Sequence, residues 1–468
     1  MSSHIAYGLD ERPRAREAVP LGAQHVVAML LGNITPPLLI AGALGMATGE
    51  TATLLQVALF VAGLSTIVQA YPIGPIGGRI PIVMGTSFAF VGASIAIGSR
   101  AGLAAVFGAC LAASLVEVGV GFGMKRIHRL FPPLVTSIVV MLIGLTLIPV
   151  GIDYAAGGVG APDYGSPTNL AIAAVVLVVT LGLNRFGRGF LAHASILVGV
   201  LAGYALAAAL SRVDLTAVAG AGWLTLPRPL AFGLSFEASA ILVMAFVYVI
   251  SAMETIGDIT GVMAATGRPP TTGELRGGLV ADAVSSGFAA LLGAFPTTSY
   301  SQNVGLVNFT GVASRHVTAV AGGMLVVLGL FPKVGALFAT IPPAVIGGAA
   351  VVMFGMIFAS GAAIFVRGVA LTQRNLVILA VSIALGLGAE LRPEALGALP
   401  EGLASFLSAG LVTGGLAALV LNLALPERAL QRTVPPGETG HVAMPGSDAY
   451  DASSTQGTSE HTPTPKGP

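Results

Sequence analysis

Two carboxylates lie four residues apart within an apolar stretch of the sequence, at Glu254 and Asp258. This spacing places both side chains on one face of a helix. A charged carboxylate costs at least about 2 to 3 kcal/mol at the centre of a bilayer. Because burial and mutual repulsion both favour the neutral form, at least one of the two is expected to hold a proton, which indicates a proton carrier. Four other ionisable residues fall within apolar stretches: His25, Glu117, His193 and Asp282.

The surroundings of these other residues predict different roles. Glu117 lies within about two helical turns of Lys125 and Arg126, so we expect its carboxylate to reach the membrane interface and to be structural. Functional and structural roles are equally open for Asp282. An isolated His25, one turn into its segment, is more typical of packing.

A polar stretch at residues 299–305 (SYSQNVG) has the composition of a binding site. Asn303 is suited to capping a half-helix there, whose free N–H groups would point into a cavity. Gln302 offers one acceptor and two donors, enough to pair with a planar amide–imide edge. Opposite it, residues 85–88 (GTSF) would supply a second half-helix start and the Phe88 ring, which can stack on a flat ligand. These groups fit a planar heterocycle with N–H and C=O groups, whereas a sulfate or carboxylate site would require Arg or Lys.

The composition indicates that membrane helices position these residues. Of 468 residues, 22 are Lys or Arg and 21 are Asp or Glu, so 9% are charged, where roughly 25% is usual for soluble domains. Hydrophobic residues make up 54%, in runs of helix length rather than the alternation of an outer-membrane barrel. The single Cys110 excludes a disulfide framework and a thiolate metal site. No metal or cofactor is expected, and a net charge of +1 gives no indication of nucleic acid.

Hydropathy predicts thirteen apolar segments, and the stretch 296–311 is too short and polar to be assigned. If that stretch crosses the membrane and the N-terminus is cytoplasmic, 17 Lys and Arg lie inside and five outside; otherwise the division is 13 to nine. The positive-inside rule therefore favours fourteen segments with both termini in the cytoplasm. The thirteen apolar segments are predicted near 22–45, 51–71, 80–98, 101–122, 131–151, 169–183, 191–211, 239–263, 277–295, 315–332, 340–362, 374–390 and 402–424.

The two sets of seven segments resemble each other. Residues 28–35 (AMLLGNIT) match 252–260 (AMETIGDIT), and a Pro-Pro-x-Val sequence opens both segment 5 and segment 12. Because each unit has an odd number of segments, the second copy is inverted. Interrupted segments at corresponding positions of inverted repeats indicate a transporter's midplane site. We therefore predict an all-α polytopic membrane protein with fourteen transmembrane segments as 7+7 inverted repeats, with short extended stretches in segments 3 and 10.

The sequence Gln302-Asn303-x-Gly305, followed four residues later by Thr310-Gly311, is similar to the signature of the nucleobase–ascorbate transporters, also called the nucleobase:cation symporter-2 family. The resemblance covers the chain from about residue 20 to 425. It extends to further residues in segments 1, 3, 8 and 9: Gln24-His25, Ser87-Phe88, Glu254-Thr255-Ile256-Gly257-Asp258 and Asp282.

The resemblance implies a core domain that moves against a gate domain, usually in a homodimer. The core would comprise 21–123 (segments 1–4) and 239–332 (segments 8–11), and the gate 124–211 (segments 5–7) and 340–424 (segments 12–14). Residues 1–20 would form a cytoplasmic N-terminal segment. The Pro-, Gly-, Ser- and Thr-rich residues 425–468 are predicted to be a disordered cytoplasmic tail.

The resemblance also implies roles for single residues. In such relatives the residues matching Glu254 and Gln302 hold the base, the one matching Phe88 stacks on it, and proton symport is usual. Gln at position 302, where uracil-type members tend to have Glu, resembles the xanthine and urate branch. Tyr300, where several purine members have Phe, leaves xanthine, urate and related purines open.

We therefore predict a proton-coupled symporter of a purine base, xanthine or urate first, in the bilayer of a bacterial inner membrane, and not an enzyme. The expected substrate-binding residues are Glu254, Gln302, Phe88, Tyr300, Ser301 and Asn303. The residues expected to couple protons are Glu254, Asp258, Asp282 and His25.

Other functions remain open at this stage. One is a uracil or other nucleobase permease of the same family. Another is an anion transporter of the same architecture, although such proteins usually carry a soluble C-terminal regulatory domain and a midplane Glu disfavours anions. An intramembrane hydrolase has no support, because the sequence contains no H-E-x-x-H motif and no convincing Ser-His pair.

Overall fold

A computed structural model describes residues 6–127 and 132–425. The helices of this part are α1 (Ala15–Ala43), α2 (Thr48–Ala70), α3 (Val91–Ile127), α4 (Pro133–Ala155), α5 (Pro167–Phe186), α6 (Phe190–His193), α7 (Ser195–Ala209), α8 (Thr216–Gly220), α9 (Ala238–Ala265), α10 (Thr272–Leu292), α11 (Ser301–Thr310), α12 (Arg315–Gly329), α13 (Pro332–Ala339), α14 (Pro343–Gly368), α15 (Gln373–Leu391), α16 (Glu401–Ser408) and α17 (Gly410–Ala424). Two short strands, β1 (Met84–Thr86) and β2 (Thr297–Ser299), complete the regular structure, with single turns of 3-10 helix at Phe88–Phe90 and Pro393–Leu396.

The helices have the length and apolarity of membrane spans. Nine helices of the described part could each cross a bilayer, and two bent pairs, α12 with α13 and α16 with α17, raise the number to eleven. The prediction of an all-α polytopic membrane protein is confirmed. The count of fourteen segments and their arrangement as two inverted sets of seven stay predictions.

The predicted boundary between segments 3 and 4 lies at a kink in α3, whose two helical parts meet at Gly102 with a φ of 78°. Other predicted segments have different shapes in the structure. Segment 14 is not continuous, because α16 and α17 are bent by 82° about Ala409, and α12 bends by the same angle into α13 at Pro332. A hydropathy window records apolarity but not backbone direction, so these bends are not visible to it. The predicted tail from residue 426 onward lies outside the described residues.

The helices pack closely where glycines remove side chains from the contact. In one set, α2 lies along α12, and α3 lies along α9 and α10. In the other set, α4 lies along α14, and α5, α7, α15 and α17 surround this pair. A Cβ at Gly63 of α2 would come within 2.5 Å of the Gly322 carbonyl oxygen of α12. A Cβ at Gly144 of α4 would come within 2.6 Å of the Phe358 nitrogen of α14. Small residues at these contacts let the helix backbones approach, as in other membrane bundles.

The two strands pair with each other in an antiparallel arrangement. Met84 faces Ser299, Gly85 faces Thr298 and Thr86 faces Thr297. Two further backbone bonds extend the pairing, from Ser87 N to the Pro296 carbonyl and from Tyr300 N to the Val83 carbonyl. All three residues of each strand are buried. The predicted extended stretches in segments 3 and 10 are confirmed, and each leads into a helix, α3 or α11.

The paired strands β1 and β2 form a crossing of the two interrupted segments. The Tyr300 side chain fixes this crossing against α1. Its hydroxyl donates to the Thr86 carbonyl oxygen at 2.8 Å, and only 4% of the residue is exposed. A Cβ at either Gly32 or Gly85 would lie 2.6 Å from the Tyr300 ring. The ring therefore occupies a slot that two glycines leave open.

We expect Gly85→Leu to destabilise the protein. A Cβ at this position would meet Tyr300 at 2.6 Å and Asn33 Oδ1 at 2.9 Å, and overpacking of this kind typically costs about 1 to 3 kcal/mol. The thermal transition of detergent-solubilised protein, followed by size-exclusion chromatography, measures the loss. Gly119→Leu on the exposed face of α3 is the matched control, because nothing lies within 4 Å of its Cβ position. Equal stability of the two variants would contradict the tight slot.

Candidate functional site

Glu254 lies in α9 at the contact with α4. Its side chain is half-buried and borders a cavity of about 10 Å³ that Thr136, Val139 and Ile143 of α4 also line. Within residues 6–127 and 132–425 it has no hydrogen-bond or ion-pair partner. A space of this size holds no more than a single water, so the site is closed to an organic ligand in this conformation.

Asp258, one turn after Glu254, fastens α9 to the crossing. Its Oδ2 accepts a hydrogen bond from the Ser299 hydroxyl and its Oδ1 accepts one from the Ser301 hydroxyl, both at 2.7 Å. Ser299 ends β2 and Ser301 begins α11. The carboxylate thus lies at the positive end of the α11 dipole, where a negative charge is stabilised.

The first turn of α11 carries the predicted binding motif. The helix begins at Ser301, and its N-cap residue is Tyr300, without a side-chain capping bond. The expectation that Asn303 caps the half-helix is therefore wrong, because the helix starts earlier and Asn303 lies within its first turn. Its amide nitrogen instead donates to the His25 carbonyl oxygen at 3.1 Å and lies 3.0 Å from His25 Nδ1. His25 is 2% exposed, so this pair ties α11 to α1.

Gln302 and Phe88 are positioned differently from these bonded residues. Gln302 is half-buried, and no side-chain hydrogen bond joins it to any residue that the structure describes. It follows Ser301, whose hydroxyl donates to Asp258, and Asp258 lies one helical turn after Glu254 on α9. Phe88 begins the 3-10 turn after β1, is half-buried, and meets Phe354 of α14 edge to face at 5.8 Å between ring centroids.

Asp282 is fully buried in the middle of α10. Its Oδ2 accepts hydrogen bonds from Thr255 of α9 and, at 3.5 Å, from Thr298 of β2. Thr298 Oγ1 in turn lies 3.2 Å from Thr255 Oγ1 and 3.3 Å from the hydroxyl of Ser251. The other oxygen, Oδ1, has no partner among the described atoms. Asp282 therefore joins α9, α10 and the crossing through a hydroxyl network.

The predicted site residues divide into two groups. Five are buried or hydrogen-bonded within the protein and form the frame of the site: His25, Asp258, Asp282, Tyr300 and Asn303, together with the Ser301 hydroxyl. Three are half-buried and free of side-chain hydrogen bonds in the described part of the chain: Glu254, Gln302 and Phe88. The second group is therefore not engaged in side-chain hydrogen bonds within the described protein.

Sequence analysis placed Glu117 wrongly and missed the hydroxyls that hold the acids. Glu117 is 0% exposed, so the expectation that it reaches the membrane interface is wrong. Its helical neighbours Cys110, Ala113 and Val120 are also buried, and this period of three, four and seven residues is the signal that marks a buried face. Thr255 and Ser299 gave no such signal, because a single hydroxyl is common in membrane helices.

A larger cavity opens at the other end of α4. It measures about 660 Å³ and is lined by residues from α1, α3, α4 and α14, among them Leu38, Ile95, Tyr154 and Ile346. Phe354 lies eight residues after Ile346 in α14, which is about two helical turns. The contact between Phe354 and Phe88 therefore lies between this cavity and Glu254.

Comparisons with known proteins identify the family of this chain. The model of the permease family Xan_ur_permease matches residues 16–395. The chain is 38% identical over 442 residues to xanthine permease XanP of Escherichia coli (strain K12), covering 91% of this chain and 95% of that one. It is 38% identical over 418 residues to uric acid permease PucJ of Bacillus subtilis (strain 168), covering 88% and 93%.

A solved structure shares the fold at low identity. The transmembrane domain of a cyanobacterium bicarbonate transporter, BicA, is similar with a TM-score of 0.57 and 15% identity, covering 89% of this chain and 99% of that one. At this identity the likeness concerns the fold alone, whereas the family match and the relatives extend over nearly the whole chain. The chain belongs to the nucleobase–ascorbate transporter family.

Proposed function

We propose that this chain is a secondary active transporter that carries a purine base, xanthine or urate, together with protons across the bacterial inner membrane. The observation that carries the proposal is that Glu254 and Gln302 are both half-buried and have no side-chain hydrogen-bond partner in the described ranges. Relatives named as xanthine and uric acid permeases support the same substrate class.

The two side chains are complementary to the edge of an oxidised purine. The Glu254 carboxylate accepts a hydrogen bond from a ring N–H, and the Gln302 amide donates to a C=O and accepts from a neighbouring N–H. Hydrogen bonds to a charged group are worth about 1.5 to 3 kcal/mol, so the carboxylate dominates affinity and the amide selects the pattern of donors and acceptors. Phe88 stacks on the face of the ring.

Protons balance the charge of the loaded site. Asp258 and Asp282 both act electrostatically on Glu254, and three acids in a low-dielectric region cannot all be ionised at acceptable cost. A proton taken up with the base removes part of this negative charge before the loaded site moves. His25, held by Asn303, lies on the far side of α11 and adjusts the same equilibrium.

Movement of a core against a gate would open the site. In the proposed division the core contains α1–α3 and α9–α12, and the gate contains α4–α7 and α14–α17. The packing supports this division, because α4 covers Glu254 and the contact between Phe88 and Phe354 joins the two parts. Separation of these contacts would connect Glu254 with the 660 Å³ cavity. Cytoplasmic termini and a homodimer complete the proposal.

Uptake measurements test the substrate class and the coupling ion together. Proteoliposomes with an inward proton gradient are expected to accumulate labelled xanthine, and a protonophore is expected to abolish accumulation. Unlabelled urate and xanthine should compete, whereas uracil should not. Uptake that survives the protonophore but requires sodium would contradict proton coupling, and competition by uracil alone would contradict the purine assignment.

We expect Glu254→Gln to abolish active uptake in protein that still reaches the membrane. Loss of one charged hydrogen bond lowers affinity by about 10- to 100-fold, and the amide cannot exchange a proton. The measurement is gradient-driven xanthine uptake normalised to membrane protein. Glu50→Gln at the exposed start of α2 is the control and should transport normally. Accumulation by the Glu254 variant at the wild-type level would refute its role.

Gln302→Glu is expected to shift or destroy the purine preference. The exchange removes two donors and adds a charge near Glu254, so a C=O group of the base loses its partner. A competition panel of purines and pyrimidines measures the change. Asn308→Asp, six residues later on an exposed face of α11, makes the same chemical exchange away from the site and should leave selectivity intact. Identical selectivity in the Gln302 variant would exclude direct contact.

A further inference from the structure

A second acidic pair lies apart from the ligand-facing residues. Glu117, in the part of α3 that follows Gly102, is 0% exposed, and neither of its carboxylate oxygens has a hydrogen-bond partner among the described residues. Val120, one turn after Glu117 on α3, belongs to a buried apolar cluster with Ala252 of α9 and Leu279 of α10. A carboxylate in such surroundings has lost water without gaining another partner.

The packing of α3 on α10 places Glu117 opposite Asp282. A Cβ at Gly121 would lie 3.2 Å from Val280, and a Cβ at Gly287 would lie 2.9 Å from the Ser114 hydroxyl. Glu117 lies between Ser114 and Gly121 on α3, and Asp282 lies between Val280 and Gly287 on α10. The charge of Asp282 acts directly on Glu117, and the free Asp282 Oδ1 is likewise buried and without a partner.

A tyrosine from a third helix faces the same two acids. Tyr248 of α9 is 0% exposed, and its hydroxyl, which Ser286 of α10 approaches, has no partner within hydrogen-bond geometry in the described part of the chain. Both Glu117 and Asp282 act on it electrostatically, as does the buried thiol of Cys110, two turns before Glu117 on α3. Among the side chains that the structure describes, no Lys, Arg or His forms a hydrogen bond or ion pair with any of these four groups.

Two ionised carboxylates cannot coexist in this position. Burial of an unpaired charge costs several kcal/mol after relaxation, and the repulsion of a second charge adds to that cost. One proton shared between the two carboxyls removes a full charge and gives an unpartnered oxygen a donor. Interacting acids of this kind bind their protons as a pair.

We propose that Glu117 and Asp282 form a second proton-binding site, separate from the residues that face the substrate, with the Tyr248 hydroxyl as its third polar group. The inference rests on the proposed function in one respect, because it takes the bound proton to be the one coupled to purine transport. Nothing in the position of Glu117 brings it into contact with the substrate.

The hydroxyl network connects this pair to the crossing. Asp282 accepts from Thr255 and Thr298, and Thr298 is the central residue of β2. The charge of Asp282 acts on Glu254 as well as on Glu117. A proton on the acidic pair therefore makes ionisation of Glu254 less costly. Release of that proton makes ionisation of Glu254 more costly. This coupling lets a residue without substrate contact control the acid that binds the base.

Full-length Glu117→Gln in proteoliposomes tests the role in coupling. We expect loss of gradient-driven xanthine accumulation, so that the internal concentration only equals the external one. Exchange of labelled for unlabelled xanthine at equal pH should continue near the wild-type rate, because the substrate-facing residues are intact. Accumulation at the wild-type level would overturn the proposal. Loss of both exchange and accumulation would assign Glu117 a structural role. That result would also overturn the proposal.

Infrared difference spectroscopy tests proton binding without any purine. Wild-type protein titrated between acidic and alkaline pH should show a protonated-carboxyl band that is lost in Glu117→Gln. Tyr248→Phe, which removes only a hydroxyl, should keep this band but shift its frequency. This variant provides the test of the site if the Glu117 variant does not fold. Unchanged spectra in both variants would overturn the proposal. Wild-type protein that shows the band but transports no purine would instead contradict the proposed function.

Discussion

The antiparallel pairing of β1 with β2 is the constraint on which the rest of the structure depends. Backbone N–H and C=O groups in the membrane interior find no water, and each unsatisfied group costs several kcal/mol. The bonds between the two strands, extended by Ser87 to Pro296 and by Tyr300 to Val83, satisfy the backbone of both interrupted segments at once. The same bonds fix where α3 and α11 begin. Phe88 and Gln302 occupy defined positions because they follow the strands by only two and three residues.

The two halves of the chain hold their strands by corresponding residues of different charge. Asn33 of α1 accepts hydrogen bonds from the backbone nitrogen and the hydroxyl of Thr86, at 2.7 and 3.1 Å. Asp258 of α9 accepts from Ser299 and Ser301, and it is the residue that the predicted repeat matches with Asn33. The Asn33 amide is sufficient to hold β1 by hydrogen bonds. The Asp258 carboxylate, which holds β2 in the same way, therefore has a further consequence. It places a carboxylate one turn from Glu254, and three of the acids invoked in the proposed proton coupling, Glu254, Asp258 and Asp282, therefore lie on α9 and α10.

Local sequence signals predicted the frame of the site, and contacts between distant segments determined the rest. Prolines and polar residues in otherwise apolar segments marked the strands, and motif residues marked Glu254 and Gln302. The partner of Asn303 could not be predicted, because His25 comes from another helix and the start of α11 depends on how Tyr300 fills the slot between Gly32 and Gly85. Glu117 was misplaced for a related reason. Its nearness to Lys125 and Arg126 in the sequence suggested an interface, whereas the direction of its side chain depends on the packing of α3 against α10.

The shared fold with a bicarbonate transporter does not make this an anion site. A half-helix that begins at mid-membrane presents free N–H groups and a positive dipole end, which can bind an anion. In this chain the Asp258 carboxylate already lies at the start of α11, bonded to Ser301. A free anion there would meet a fixed negative charge, with Glu254 one turn away and no Lys or Arg paired with either acid in the described part of the chain. A purine base with ring N–H groups supplies the donors that an unpartnered carboxylate lacks, so in the proposed function hydrogen bonding to Glu254 favours such a base over a simple anion, and Gln302 would then select among bases.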